Sequence, residues 1–359
     1  MSLYLAPMEG ITTYVYRRAL EKHYGGMDKY FTPFLTASHL KGRELREVHP
    51  DNNEGLYVVP QILTNDAELF VTITSQLVDL GYREVNLNLG CPSGTVVSKG
   101  RGAGFLDRTE ELDKFLYTIY DELTGKVKLA GAGAGKDSQT GAGTGKNSQV
   151  AQDALKISVK TRIGMEFESE WEDILEIYKK YPISELIIHP RLRSDFYSGR
   201  VRMDAYKRAM EVLGDRMPLC YNGDITSVST YREKLEMIGG VPVTGDGEED
   251  CPMMIGRGVI MNPELPGNIE NSSISGTEPD AESAEDPAID KKRLRAFLKD
   301  IVAGYLEEMS GEKQVVMKMK ELWSYMSLGL KVDKQQLKAI HKATKLSEYK
   351  SAEQMILLR

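Results

Sequence analysis

The chain reads as an α/β protein: a (β/α)8 TIM barrel followed by a small all-α helical domain. Three observations predict this. Through the first 267 residues, short apolar runs alternate with amphipathic stretches at helical spacing, the rhythm of strand–helix units feeding a parallel sheet. The unusual residues of those runs, Met8, Gln61, Cys91, Lys160, His189, Asn222 and Gly256, fall at or just after strand ends, the catalytic face of a barrel. Residues 291–359 then change character and read as helices with many lysines. A doubly wound open sheet is the main rival, and the shared placement of polar groups at strand ends favours the barrel.

The elements follow in order. Strands are expected at 3–8, 29–32, 56–61, 84–88, 156–160, 185–189, 218–222 and 253–255. Helices are expected between them at 13–23, 66–80, 109–123, 169–181, 203–213 and 228–238. The connection 33–55 reads as long and irregular. In the fourth strand Val85, Leu87 and Leu89 alternate with Asn86 and Asn88, the period of a strand with two distinct faces. Gly90 and Pro92 break it around Cys91, so this thiol is presented rather than packed. Residues 124–153 are rich in Gly, Ala, Ser and Lys and hold a near-repeat, 131–139 and 141–149. They read as a flexible insertion. Residues 268–290, with seven acidic groups and no Lys or Arg, read as an acidic linker. Tail helices are expected at 288–309, 313–328, 333–344 and 347–357.

Composition narrows the function. Three scattered cysteines give no disulfide framework, which predicts a cytoplasmic protein. No stretch approaches ~18 uninterrupted apolar residues, so no membrane span is expected. The N-terminus lacks a basic n-region and is not expected to be a signal peptide. The histidines are scattered, with no Cys-x-x-Cys and no His-Glu-x-x-His, so no metal site is expected. No obligate protein partner is evident. The net charge of −7 conceals a split: residues 291–359 carry +7 and residues 1–290 carry −14. Such asymmetry points to a polyanionic partner for the tail. In its second helix Val315, Met319, Leu322, Trp323 and Met326 form an apolar stripe that reads as core. Lys313, Lys318 and Lys320 lie off it.

Two glycine-containing turns follow the seventh and eighth strands, Asn222-Gly223-Asp224-Ile225 and Gly256-Arg257-Gly258. In barrels these loops commonly bind phosphate. Glycine lets backbone N–H groups approach the anion closely, and Arg257 can meet it bidentately. A phosphate-bearing cofactor follows from position.

Seven motifs resemble, in order, those of the tRNA-dihydrouridine synthases. They are Ala6-Pro7-Met8-Glu9-Gly10, Asn88-Leu89-Gly90-Cys91-Pro92, the run 100–106, Lys160-Thr161-Arg162-Ile163-Gly164, His189-Pro190-Arg191, Asn222-Gly223-Asp224-Ile225 and Met254-Ile255-Gly256-Arg257-Gly258. More weakly, Met317-Lys318-Met319-Lys320-Glu321-Leu322-Trp323-Ser324-Tyr325 resembles that family's helical domain. The chain departs from the family pattern at Thr13, Asn86, Gly94 and Leu192.

The resemblance implies an FMN-dependent barrel over 1–267 that reduces the C5=C6 bond of a uridine in tRNA, with NADPH as electron source. Hydride would pass from FMN N5 to C6, and Cys91 would give the proton to C5. FMN contacts would come from Pro7, Met8, Gln61, Lys160, His189, Asn222, Gly223, Asp224, Gly256 and Arg257. Lys160 would stabilise negative charge on the reduced ring. Asn88 and Tyr197 would hold the unstacked uracil, Arg162 would be free to reach substrate, and Arg101 with the tail lysines 313, 318 and 320 would meet the tRNA. The rivals are a dihydroorotate dehydrogenase-like FMN barrel acting on a free pyrimidine and a non-catalytic tRNA-binding protein. The first gives no reason for a basic helical tail. The second gives none for keeping Cys91, Lys160 and the phosphate loops together.

Overall fold

In the computed structural model, residues 2–126, 154–239, 251–274 and 287–358 are described. The sheet contains nine short parallel strands: β1 (Leu3–Leu5), β2 (Lys29–Phe31), β3 (Val58–Val59), β4 (Gln61–Ile62), β5 (Glu84–Leu89), β6 (Lys156–Arg162), β7 (Leu186–His189), β8 (Leu219–Tyr221) and β9 (Met253–Ile255). Their order is β3-β2-β1-β9-β8-β7-β6-β5-β4. The two ends of that series, β3 and β4, are consecutive in the chain and separated by Pro60 alone. Proline has no N–H to give to a ladder, yet its carbonyl still accepts from Asn86 N–H at 2.8 Å. The ring therefore closes through Pro60, and β3 with β4 fill the place of one barrel strand.

Alternation sorts the side chains. Outward residues such as Val85, Leu87 and Leu89 join the main core between strands and helices. Inward residues form a separate cluster of Tyr4, Ala6, Phe31, Val59, Ile187, Cys220 and Met254, the packed middle of the barrel. Below it, at the strand starts, Lys29 is held by Glu84 at 3.3 Å and Glu185 at 3.1 Å, and Glu185 also accepts from the Tyr4 hydroxyl at 2.8 Å. Above it, the inward positions turn polar, and the candidate site begins there.

Most helices fall where periodicity puts them. The connection 33–55 does not stay irregular: it contains the helix Gly42–Val48. Its sequence is short and starts on glycine, so it carries little local signal. A buried ion pair holds it, with Arg17 of the Tyr14–His23 helix donating to Glu47 at 3.1 Å and to Asn53 Oδ1 at 2.9 Å. The two low-complexity segments are also shorter than expected. Residues 124–126 prolong the helix Thr109–Lys126, and 268–274 belong to the helix Leu265–Ile274. The remainder of the insertion, 127–153, and residues 275–286 of the linker lie outside the described residues.

Four helices make the tail: Lys291–Glu308, Glu312–Gly329, Lys334–Lys342 and Leu346–Leu357. Asp290 caps the first, accepting from the N–H groups of Lys292 and Arg293, a contact worth about 1 kcal/mol. That helix packs along Tyr14–His23. Phe297 stands edge-on to Tyr16 and Tyr24 at 5.6 and 5.4 Å. Gly304 approaches so closely that a Cβ there would meet Val15 Cγ1 at 2.7 Å. The stripe Val315, Met319, Leu322, Trp323 and Met326 is buried, and the Trp323 indole donates to the Tyr349 hydroxyl at 3.0 Å.

Candidate active site

A cavity of about 560 Å³ opens at the C-terminal end of the barrel. Of the sequence-predicted residues, Pro7, Met8, Gln61, Asn88, Cys91, Lys160, Arg162, His189, Tyr197, Asn222, Gly223, Asp224, Gly256 and Arg257 all line it. Residues up to 250 positions apart meet there because the strand ends and the loops that follow them share one rim of the ring. Arg101, Lys313, Lys318 and Lys320 do not line it.

The thiol is placed by a chain of amides inside the barrel. Asn88 Oδ1 accepts the N–H of Gly90 at 3.0 Å and of Cys91 at 2.9 Å. Asn88 Nδ2 donates to Gln61 Oε1 at 2.7 Å, Gln61 Nε2 to Asn86 Oδ1 at 2.7 Å, and Asn86 Nδ2 to Ser158 Oγ at 2.9 Å. Asn88 therefore spends both ends of its side chain on protein groups. Gly102, at φ +56°, lets the following loop close over the turn: a Cβ there would meet the Cys91 carbonyl oxygen at 2.9 Å. Burial pushes the Cys91 thiol up, although the Ser93 N–H and the charges of Lys160 and Arg162 pull the other way. The group is thus a neutral S–H at neutral pH, suited to giving a proton rather than to attacking as a thiolate.

Two cations stand beside it with different duties. Lys160 makes no hydrogen bond or ion pair among the described residues. Burial, reinforced by Arg162, pulls its ammonium down to about 8. Arg162 is 1% exposed and donates to the carbonyls of Gly90 at 3.0 Å, Leu192 at 2.7 Å and Phe196 at 2.6 Å. The expectation of a free Arg162 is corrected: its guanidinium ties the Cys91 turn to the 190s loop. Burial lowers it to about 10, so it stays charged at neutral pH. Tyr197, on that loop, lies over Arg162 at 5.4 Å and Arg257 at 5.7 Å.

His189 is held neutral. Burial, with Arg162, Lys160, Arg191 and Arg257 around it, pushes its imidazolium well below the ordinary value. Its Nε2 faces Arg191 at 3.2 Å. A guanidinium can only donate, so Nε2 accepts and the proton sits on Nδ1. Arg191, inside a quoted motif but not among the expected site residues, also grips Asp224 through two bonds of 3.0 and 2.5 Å. Arg257 reaches the same carboxylate at 2.7 Å. Burial would raise Asp224, but these partners outweigh it and hold its carboxyl below the usual range. Asn222 Nδ2 donates to the Met254 carbonyl at 2.7 Å, joining the two glycine turns. Gly258 closes the joint, since a Cβ there would meet the Ile225 oxygen at 2.1 Å.

Outside the cavity, Arg101 donates to Asn65 Oδ1 at 3.3 Å. Lys318 is engaged with the barrel, its ammonium donating to the Gly10 carbonyl at 2.9 Å and to Glu321 at 2.9 Å. Lys313 is exposed and Lys320 half-buried. Sequence reasoning missed Tyr325, which enters the cavity from the tail. It ends the quoted tail motif, but nothing local says that it turns to the barrel.

Comparison with known proteins identifies the family. The family described as Dihydrouridine synthase (Dus) matches residues 4–130 and 146–357. A protein named "Probable tRNA-dihydrouridine synthase" in Staphylococcus aureus (strain COL) is 27% identical over 266 residues, 72% of this chain and 68% of that protein. "Probable tRNA-dihydrouridine synthase 2" of Bacillus subtilis (strain 168) is 27% identical over 273 residues, 72% of this chain and 69% of that one. Among solved structures, DHODH from Eimeria tenella in complex with ferulenol aligns with 77% of this chain and 81% of its own, at a TM-score of 0.48 and 10% identity. No helix among the described residues is long and apolar enough to cross a membrane. Matched through both its barrel and its helical tail, the chain belongs to the dihydrouridine synthase family.

Proposed function

We propose that this protein reduces the C5=C6 bond of a uridine in tRNA to 5,6-dihydrouridine, using NADPH and an FMN held in the barrel mouth, with Cys91 as proton donor. The observation that carries the reading is that Cys91, whose thiol burial pushes up, and Lys160, whose ammonium has no acceptor among the described residues, line one cavity.

The residues fit a flavin. An electron-rich ring edge would give Lys160 the acceptor it lacks, and Arg257, only partly buried, would meet the phosphate beside Gly223 and Gly256. Bound there, the flavin supplies the hydride that no protein side chain can. The Nδ1–H of His189 would orient the ring, and Gln61, fixed by Asn88 and Asn86, would offer it the second hydrogen of its amide nitrogen. Cys91 Sγ–H gives its proton to C5, and water restores the thiol. Arg162 holds Gly90, and so keeps the thiol at the cavity edge. The barrel, 1–267, acts as the catalytic part. The basic tail, 291–359, binds the tRNA backbone through Lys313 and Lys320, with Arg101 near the mouth.

The test is to purify the full chain, record its visible spectrum, and incubate it with NADPH and tRNA lacking dihydrouridine. A flavin spectrum and dihydrouridine that disappears in Cys91→Ala are expected. A colourless protein that forms none overturns the reading. Activity on free uridine or another free pyrimidine, and not on tRNA, would favour the dihydroorotate dehydrogenase-like alternative.

A further inference from the structure

The tail does more than pack beside the barrel. Its helix Glu312–Gly329 presents Lys318, Leu322, Tyr325 and Gly329 at spacings of four, three and four residues, one face of an α-helix. Both ends of that face are fastened to cavity-forming loops. Lys318 donates to the carbonyl of Gly10, in the loop that also brings Met8, Glu9 and Ile11 to the cavity. Gly329 sits against the Met261 carbonyl, where a Cβ would come within 2.1 Å, at the end of the short helix that starts with Arg257. Tyr325 lies between these two anchors. Among the described residues it is the sole cavity-lining group from beyond position 258. Its neighbours Trp323 and Met326 are committed to the tail's own core, whereas Tyr325 is half-buried. Tyr197 and Cys91 line the same cavity as Tyr325, and the Tyr197 hydroxyl is pushed up by burial first, with Cys91 and Tyr325 adding to it.

We propose that Tyr325 is a substrate-contacting residue: it carries one wall of the catalytic cavity onto the tail and holds the target base in reach of Tyr197 and Cys91. The inference rests on the function proposed above and adds to it. Base unstacking leaves a flat face that needs a new aromatic partner. Tyr325 provides one on the element that also carries Lys313 and Lys320. Grip on the tRNA backbone and placement of the base then reside on a single rigid helix. A base delivered without that helix lacks one wall of its site.

Tyr325→Ala and Tyr325→Phe in the full chain test this. For the Ala variant, kcat for dihydrouridine formation is expected to fall at least tenfold. Tm, flavin content, NADPH-dependent flavin reduction and tRNA Kd should stay within twofold or a few degrees of wild type. The Phe variant, which keeps the ring, should remain within threefold of wild-type kcat. An Ala variant with wild-type kcat overturns the proposal. So does a Phe variant as impaired as Ala, or a loss in tRNA Kd equal to the loss in kcat/KM. Absence of dihydrouridine from the wild-type control is a different result, and it defeats the functional reading instead.

Discussion

Asn88 holds Cys91 by its backbone: the amide oxygen accepts the Cys91 N–H at 2.9 Å, while the amide nitrogen is anchored 2.7 Å away on Gln61. The thiol's position is therefore set from inside the barrel. Asn88→Ala would strand the N–H groups of Gly90 and Cys91 and the Gln61 oxygen. Each buried group left unpaired costs about 1–3 kcal/mol. A lower Tm and a larger loss in tRNA turnover than in flavin content are expected, read by thermal melts and product assays. A variant matching wild type in both would mean the amide chain does not position the thiol.

Cys91→Ala should keep the fold, the flavin and NADPH-dependent flavin reduction, and lose dihydrouridine formation. Only the protonated thiol can donate, and burial raises its pKa. Wild-type turnover should thus persist through neutral pH and fall as pH rises through that raised value. The same fall in Cys91→Ser, at constant flavin content, would assign it to another group.

Lys160 titrates at about 8 in the folded chain against an ordinary 10.5. Between those values the unfolded chain keeps a proton that the folded chain has lost, so stability of the flavin-free protein should rise with pH across that window. Below about 8 both states hold the proton and the burial cost is constant. Lys160→Met should stabilise the flavin-free protein at pH 7 by on the order of 2 kcal/mol and weaken flavin binding. Urea melts of flavin-stripped protein at pH 7.5 and 9.5 read this. Identical pH dependence in wild type and variant would remove Lys160 as the source.

Arg257→Ala should weaken flavin binding by about 1.5–3 kcal/mol through loss of a charge-assisted contact. The loop should stay folded, because Arg191 keeps its two bonds to Asp224. Flavin retained as in wild type after extensive dialysis would count against a phosphate at Arg257.

The tail lysines should separate into two behaviours. Lys313→Ala with Lys320→Ala should weaken tRNA binding and flatten the salt slope by about two, because each neutralised phosphate releases counterions. Lys318→Ala should instead lower Tm, since its ammonium docks the tail on Gly10. Superimposable salt curves for the double variant would place the tRNA-binding face elsewhere.

Much of the fold was legible because its signals are local. The alternation of Val85, Leu87 and Leu89 with Asn86 and Asn88 fixes which side chains face the helices and which face the barrel axis. A polar residue at the end of an apolar strand therefore has to point into the mouth. That is why fourteen expected site residues line one cavity. The 42–48 helix escaped notice because a tertiary ion pair, Arg17 with Glu47, stabilises it.

The division of labour inside the site could not be read the same way. Asn88, Arg162 and Lys160 look alike in sequence, as polar groups at strand ends. Closure of the ring decided that the first two bond to protein and that the third points its charge into the cavity. Docking of the tail brought Lys318 to Gly10, 308 residues away, and Tyr325 to the cavity that Cys91 lines. Periodicity reports which face of an element is buried. It carries no information on which distant atom lies against that face, because that contact is set by the packing of the whole chain.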